Sequence, residues 1–250
     1  MTPNQLTEAA QRASERYTVM TGAFRGALVD AVGRNPADMR SRASLKRACL
    51  DIALVYLRGE IENISYDVDD AAQDETDRFA LSYTGSTVRD DMSALTLDTV
   101  ALAKESLETE LRAQIERDIN QVLSRFKDFQ IETHMLADSE RISLNAAKLR
   151  VQMKGETKAS YYFRDRIGRR FESRKFVRAI WRNTLLQVGN EAFMISAAKA
   201  GFLTLVVDHP DQASNANGTR ISLGAQPADS YASIRDTIFH PNSQARLVLP

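Results

Sequence analysis

The sequence closes on a stretch that joins a proline-containing turn to a short apolar strand, Phe239-His240-Pro241-Asn242-Ser243-Gln244-Ala245-Arg246-Leu247-Val248-Leu249-Pro250. Pro241 favours a turn because its ring fixes φ and removes a backbone donor. We predict that His240, Pro241 and Asn242 shape this turn and that residues 246–249 form a last strand. The chain is therefore expected to end on a structured element with β character.

The segments before this stretch predict a small mixed module. Residues 160–165 and 169–172 are aromatic and β-leaning, with Arg166-Ile167-Gly168 between them, which is typical of a hairpin. Ser173 is placed to cap a helix over residues 174–200, which Gly201 would end. We predict a buried strand at 202–207, a strand at 219–223 and a short helix from Pro227 to Thr237. Residues 156–250 are thus expected to form an α+β module.

Residues 1–155 are expected to form a body of long helices. Apolar residues recur every three or four positions in helices predicted at about 4–31, from Pro36 to Ile64 or as far as Ala72, and from Asp90 onwards. Residues 82–87 are predicted to be a loop, and the third helix to break around 131–139 before it continues to about Gly155. The core stripe of the second helix is predicted to be Ala43, Leu50, Leu54, Leu57 and Ile61. The fold class is therefore α+β, predominantly α, with domains 1–155 and 156–250.

The clearest helical period belongs to the third helix. Its apolar stripe advances by about 3.6 residues per step and comprises Val100, Lys104, Leu107, Leu111, Ile115, Ile119, Val122, Phe126 and Phe129. This is the period of a straight α-helix. Charged residues between these positions, among them Glu116, Arg117 and Asp118, are expected on the solvent face.

Composition excludes several classes. Hydrophobic residues make up 43% of the 250, charged residues 26%, and Gly (11) and Pro (6) are scarce, as in a folded, helix-rich protein. No secretory signal or membrane-spanning run is recognised, so no membrane partner is expected. Cys49 is the only cysteine, which excludes an internal disulfide and favours a core role in a reducing cytoplasm.

The formal net charge is zero, but the charges are segregated. Residues 60–77 hold eight acids and no base, whereas residues 148–182 hold twelve bases and three acids. Basic groups interleaved with aromatic residues can grip a nucleic-acid backbone. They can equally pair with acids on a neighbouring subunit or with residues 60–77, and zero net charge favours this protein-facing interpretation. The expected contact residues are Arg164, Arg166, Arg169, Arg170, Arg174, Lys175 and Arg178.

Two histidines raise the question of catalysis. His209 has Asp208 and Asp211 beside it, and His240 precedes Ser243 by three residues. The spacing matches no metal motif and no nucleophile elbow. We therefore expect no catalytic residue, metal or cofactor. Two alternatives stay open: a hydrolase or toxin-like enzyme using His209 and His240, and a DNA-binding protein using residues 148–182.

A set of short phrases, in order, carries a family resemblance. They are Tyr162-Phe163-Arg164-Asp165-Arg166-Ile167-Gly168-Arg169-Arg170-Phe171, Arg182-Asn183-Thr184, Asn190-Glu191, Gly201-Phe202, Asp208-His209, Asn217-Gly218 and Ile238-Phe239-His240-Pro241-Asn242. Over residues 160–250 the chain resembles the minor capsid or head-morphogenesis proteins of tailed bacteriophages, the Mu F-like group. It departs from them at 210–217 and 243–245, where the family tends to place cysteines or histidine, so a metal or thiol role is not carried over.

The resemblance implies a non-enzymatic structural protein of the virion. Such a minor head protein would be assembled in the host cytoplasm and held at the head or portal vertex in a few to a dozen copies. The implied roles are head assembly, DNA retention and DNA ejection. The implied partners are the portal, the major capsid protein, other copies of the chain and packaged double-stranded DNA.

Overall fold

The computed structural model describes residues 1–34, 39–85, 91–153, 161–164, 170–224, 230–240 and 243–250. The elements are α1 (Pro3–Arg34), α2 (Met39–Thr84), α3 (Ala94–Glu140), α4 (Leu144–Met153), β1 (Tyr162–Arg164), β2 (Arg170–Glu172), α5 (Ser173–Lys199), β3 (Thr204–Asp208), β4 (Arg220–Ser222), α6 (Tyr231–Ile238) and β5 (Arg246–Val248). The predominantly helical α+β class is confirmed. Within the described residues, no helix has a segment long and apolar enough to cross a bilayer.

The apolar stripes predicted for α1 and α3 are largely buried. Tyr17 and Phe24 of α1 are 0% exposed, as are Leu111 and Phe126 of α3. Residues spaced by three and four positions share one face of a helix. The sequence period alone was therefore enough to identify the packed face of these two helices.

The predicted stripe of α2 is packed only in part. Leu57 is 7% exposed, but Leu50, Leu54 and Ile61 are 43%, 52% and 41% exposed, whereas Leu45 and Cys49 are 2% and 0% exposed. The packed side of the helix is thus rotated away from the predicted one. Apolar residues occupy both sides, so the pattern did not determine which side would be packed.

One helix ends later than predicted, and one predicted break does not occur. Helix α2 runs past its predicted end and stops at Thr84, within the predicted loop at 82–87, whereas α3 is uninterrupted across 131–139. Buried Thr133 and Ala137 extend the packed face of α3 beyond Phe129, which keeps the last turns helical. Arg141 ends the helix with φ 51, and the N–H of Ile142 donates to the carbonyl of Ala137 at 3.1 Å.

The end of α5 was predicted correctly. Gly201 has φ 89, a left-handed conformation that glycine adopts without a Cβ clash. Its N–H donates to the carbonyl of Ala198 at 3.0 Å, and the N–H of Phe202 donates to that of Ala197 at 3.0 Å. This pair of bonds is a Schellman motif. It turns the chain out of the helix into β3.

Two small antiparallel sheets follow the predicted strands. The hairpin pairs Phe163 of β1 with Phe171 of β2. The second sheet has the order β4-β3-β5, with Leu205 paired to Ile221 and Val207 to Leu247. Strand β3 was expected to be buried throughout, but only alternate residues are buried. It therefore has one packed face, as a strand in a sheet covered on one side does.

The chain divides into two compact units. The first contains Met1–Arg12, Ile61–Thr109 and Arg178–Pro250, and the second contains Ala13–Glu60 and Glu110–Val177. This division differs from the sequence-based boundary between residues 155 and 156, because each unit is assembled from segments far apart in the sequence. In the first unit α5 approaches α2 at Gly189, where a Cβ atom would lie 3.0 Å from Cγ of Glu75.

Candidate interaction site

The hairpin places two of the predicted basic contact residues opposite each other. Arg164 in β1 and Arg170 in β2 are Cα partners in the register of the two strands. Arg166 and Arg169, which were expected to act with them, lie outside the described residues. The strands therefore bring part of the predicted basic set together on one element.

The first turns of α5 carry the next basic residues. Arg174, Lys175 and Arg178 are all exposed. Nε of Arg174 lies 2.6 Å from Oε2 of Glu172, and Nζ of Lys175 lies 3.8 Å from Oε1 of the same carboxylate. The hydrogen bond from Arg174 lowers the pKa of Glu172. Because all of these groups are exposed, an outside anion can compete with Glu172 for the bases.

Arg182, the last base of the segment, has a structural role. It is 7% exposed, its Nη2 donates to the carbonyl of Ser243 at 3.0 Å, and its Nε donates to the Thr7 hydroxyl at 3.2 Å. Burial lowers the pKa of its guanidinium. Arg182 therefore stabilises the closing stretch at Ser243. The exposed bases of the segment 148–182 are the ones that precede it.

Acids of the 60–77 segment pair with cations from elsewhere in the chain. In the first unit these contacts are Lys104 with Asp69 at 2.8 Å, the Met1 amino group with Asp74 at 3.0 Å, and Arg78 with Glu75 at 2.5 Å. In the second unit, Arg16 contacts Glu60 at 2.5 Å. None of these four cations belongs to residues 148–182. The predicted pairing of the two segments stays a prediction.

The closing stretch is anchored at its turn and at its strand. The N–H of Ser243 donates to the carbonyl of His240 at 2.7 Å, while Pro241 and Asn242 of the predicted turn lie outside the described residues. Farther on, Nη2 of Arg78 donates to the carbonyl of Leu247 at 2.7 Å. The guanidinium of Arg78 also lies 4.2 Å from the ring centre of Phe193. Strand β5 is thus fixed to α2 and α5 within the first unit.

His209 belongs to a self-contained loop between β3 and β4. The N–H of Asp211 donates to its Nδ1 at 3.1 Å, and its own N–H donates to Oδ1 of Asn217 at 3.1 Å. Among the described residues, no group of three or more His, Cys, Asp or Glu side chains is arranged to hold a metal ion. His209 therefore acts in these contacts as a loop-forming residue.

A buried carboxylate in the second unit was missed by the sequence reasoning. Asp118 was expected on the solvent face of α3, but it is 0% exposed. Tyr17 donates its hydroxyl to Oδ2 at 2.6 Å, while Ser173 at 2.8 Å and Gln114 at 3.0 Å donate to Oδ1. The hydroxyl of Ser173 thus joins α5 to α3 in this network. Asp118 lies next to the apolar stripe of α3 and is charged. The hydrophobic period of the sequence therefore cannot distinguish this buried carboxylate from an acid on the solvent face.

The outward side of α2 is the second feature that sequence reasoning missed. Leu54 and Val55 are 52% and 73% exposed there, close to exposed Asp51 and Arg58. Exposed apolar side chains grouped on one helix face are typical of a protein–protein contact. Together with the basic hairpin, this face is the candidate interaction site of the second unit.

Comparisons with protein-family models, with curated proteins and with solved structures found no match to this chain.

Proposed function

We propose that the chain is a non-enzymatic structural protein of a tailed phage or phage-like particle, a minor head protein held at or near the portal or capsid. It would assist head assembly, DNA retention or DNA ejection, and it would need no cofactor. Its partners would be the portal or the major capsid protein, further copies of the chain and packaged double-stranded DNA.

The order of elements over residues 161–250 is the observation that carries the proposal. A hairpin, a long helix ended by Gly201, a strand, a loop, a second strand, a short helix and a final strand follow one another. This is the order predicted from the sequence of residues 156–250, and the resembling phrases lie along it. The proposal is supported by this agreement in the segment that carries the resemblance.

The anchoring of β5 fits a docking role. Two guanidinium groups, from Arg78 and Arg182, donate to main-chain carbonyls of the closing stretch. Guanidinium groups donate strong, charge-assisted hydrogen bonds. A unit stiffened in this way presents a fixed surface and loses little conformational freedom when a partner binds.

The exposed bases of the hairpin and of α5 suit contact with DNA. Arg170 and Arg174, both in the second unit, are exposed and stand four positions apart in the chain. Phosphate contacts from such residues are independent of sequence. That is the kind of contact required where a virion protein lies against packaged DNA.

Incorporation into particles tests the proposal. Particles made with the wild-type gene are treated with nuclease, banded by density and assayed for the chain by quantitative mass spectrometry. We expect a few to a dozen copies in DNA-filled particles. A chain recovered only from the unassembled fraction of the same lysate would overturn the proposal.

Charge reversal tests the DNA contact separately. Arg170→Glu with Arg174→Glu is expected to lower the ratio of DNA-filled to empty particles while the chain is still incorporated. Lys127→Glu, at an exposed position of α3, is the matched control and should leave the ratio unchanged. Equal ratios in all three would remove DNA from the proposed partners.

A further inference from the structure

We propose that the outward face of α2 is a self-association surface on which two copies of this chain pair antiparallel, with the two-fold axis between Leu54 and Val55. The inference rests on the proposed function, in which further copies of the chain are among the partners, and it names the surface that they use. The exposed residues Asp51, Leu54, Val55 and Arg58, with Leu50 at their edge, are all in the second unit and form this α2 face.

Apolar side chains lie at the centre of the α2 face. Val55 is 73% exposed, Leu54 52% and Leu50 43%. A second helix laid against them would remove these side chains from water, which is the main driving force for association. Leu54 and Val55 stand on either side of the line that the charged residues follow, so each would meet its own counterpart across the axis.

The charges on the α2 face complement each other only when the two helices run in opposite directions. Asp51 stands three positions before Leu54, and Arg58 stands three positions after Val55. The two-fold axis therefore brings Asp51 of each copy opposite Arg58 of the other, giving two ion pairs. A parallel, in-register pair would place like charges together, which is unfavourable.

Both charged residues are available for such pairing. Arg58 stands seven positions after Asp51, which puts the two on the same side of the helix about two turns apart. Both are exposed, and neither has an ion pair or side-chain hydrogen bond with any other described residue of the chain. Asp51 and Arg58 can therefore pair with a partner that presents a base opposite Asp51 and an acid opposite Arg58. A second copy in the antiparallel direction presents both.

Reciprocal charge reversal tests the inference. Asp51→Arg leaves two positive groups on the face and Arg58→Asp leaves two negative groups, so each variant repels its own copy. We expect each to weaken self-association by at least about tenfold, which corresponds to about 1.4 kcal/mol. Light scattering after size exclusion and sedimentation equilibrium measure it over a range of concentrations.

Mixing the two variants provides the decisive measurement. A pair made of one Asp51→Arg chain and one Arg58→Asp chain has opposite charges at both contacts, so the mixture should associate as the wild type does. The double variant Asp51→Arg with Arg58→Asp should also self-associate. Lys46→Asp, an exposed charge change about a third of a turn away from Arg58 around α2, is the control and should leave association unchanged.

The outcomes separate this inference from the proposed function. A wild-type chain that stays monomeric at all concentrations, or a mixture that fails to associate, overturns the antiparallel pairing even if the chain is found in particles. A chain that passes the mixing test but is absent from particles overturns the proposed function alone. Circular dichroism of every variant verifies that the helices are intact.

Discussion

Replacement of Asp118 by alanine tests whether the buried polar network organises the second unit. The substitution removes the acceptor for three donors at once: the hydroxyls of Tyr17 and Ser173 and the side-chain amide of Gln114. These groups lie in an interior from which water is excluded, because Tyr17 and Gln114 are 0% exposed and Ser173 is 1% exposed. A donor left without a partner there must bear its full desolvation cost.

The expected loss of unfolding free energy is about 2–4 kcal/mol. Each orphaned donor costs about 1–3 kcal/mol, but the three costs are not additive, since the hydroxyl of Ser173 also accepts from Gln114 at 3.0 Å. The loss is reduced further because alanine has no carboxylate to desolvate. Desolvation is the largest cause of the raised pKa of Asp118.

Asp118→Asn is the matched variant. Its oxygen can accept from Ser173 and Gln114, and its amide can donate to Tyr17, so we expect less than half of the alanine loss. Urea denaturation followed by far-ultraviolet circular dichroism measures both, with Asp128→Ala at an exposed position of α3 as the surface control, expected within about 0.5 kcal/mol of wild type. A loss below about 1 kcal/mol for Asp118→Ala would refute the reasoning.

The same residue predicts a dependence on pH. Because burial raises the pKa of Asp118 in the folded chain, the folded state binds this proton more tightly than the unfolded state does. Its contribution to stability therefore falls as pH rises from the ordinary carboxyl range through the raised value. As the pH rises across that window, the unfolding free energy of Asp118→Asn should therefore increase relative to that of the wild type. Urea denaturation at stepped pH measures this difference. A constant difference would contradict the assigned shift.

Three further predictions follow from other sites. Gly201→Ala should cost about 1–2 kcal/mol because its φ is 89, whereas Gly26→Ala, in an exposed part of α1 with open space around it, should gain about 0.5–1 kcal/mol; thermal unfolding checks the opposite signs. Cys49 should resist a thiol reagent at pH 8 and react in denaturant, since burial raises its pKa to about 11; fast labelling of the folded chain would contradict this. Arg78→Lys should loosen β5, because an ammonium lacks the planar fork that reaches the carbonyl of Leu247; faster amide exchange in β5 measures it, and unchanged exchange would count against the anchoring role.

Much of the fold could be predicted because the signals were local. The period of α1 and α3, the turn at Gly201 and the β-leaning strands of the hairpin each depend on residues within a few positions of one another. The candidate site was predicted less well. Contacts such as Arg182 with Ser243 join residues far apart in the sequence, and no short window contains both partners.

The sequence by itself determined the helix-rich class, the cap at Gly201 and the positions of the late strands along the chain. Backbone preferences and the hydrophobic period act over one or two turns, so they can be recognised in a short window. Only the tertiary structure decided which side of α2 is packed, that Asp118 is buried, and which cations neutralise the acids of residues 60–77. The physical reason is that burial and charge pairing depend on what lies opposite a side chain in space. Leu54 is as apolar as Leu45, and only the neighbouring elements distinguish the exposed residue from the buried one.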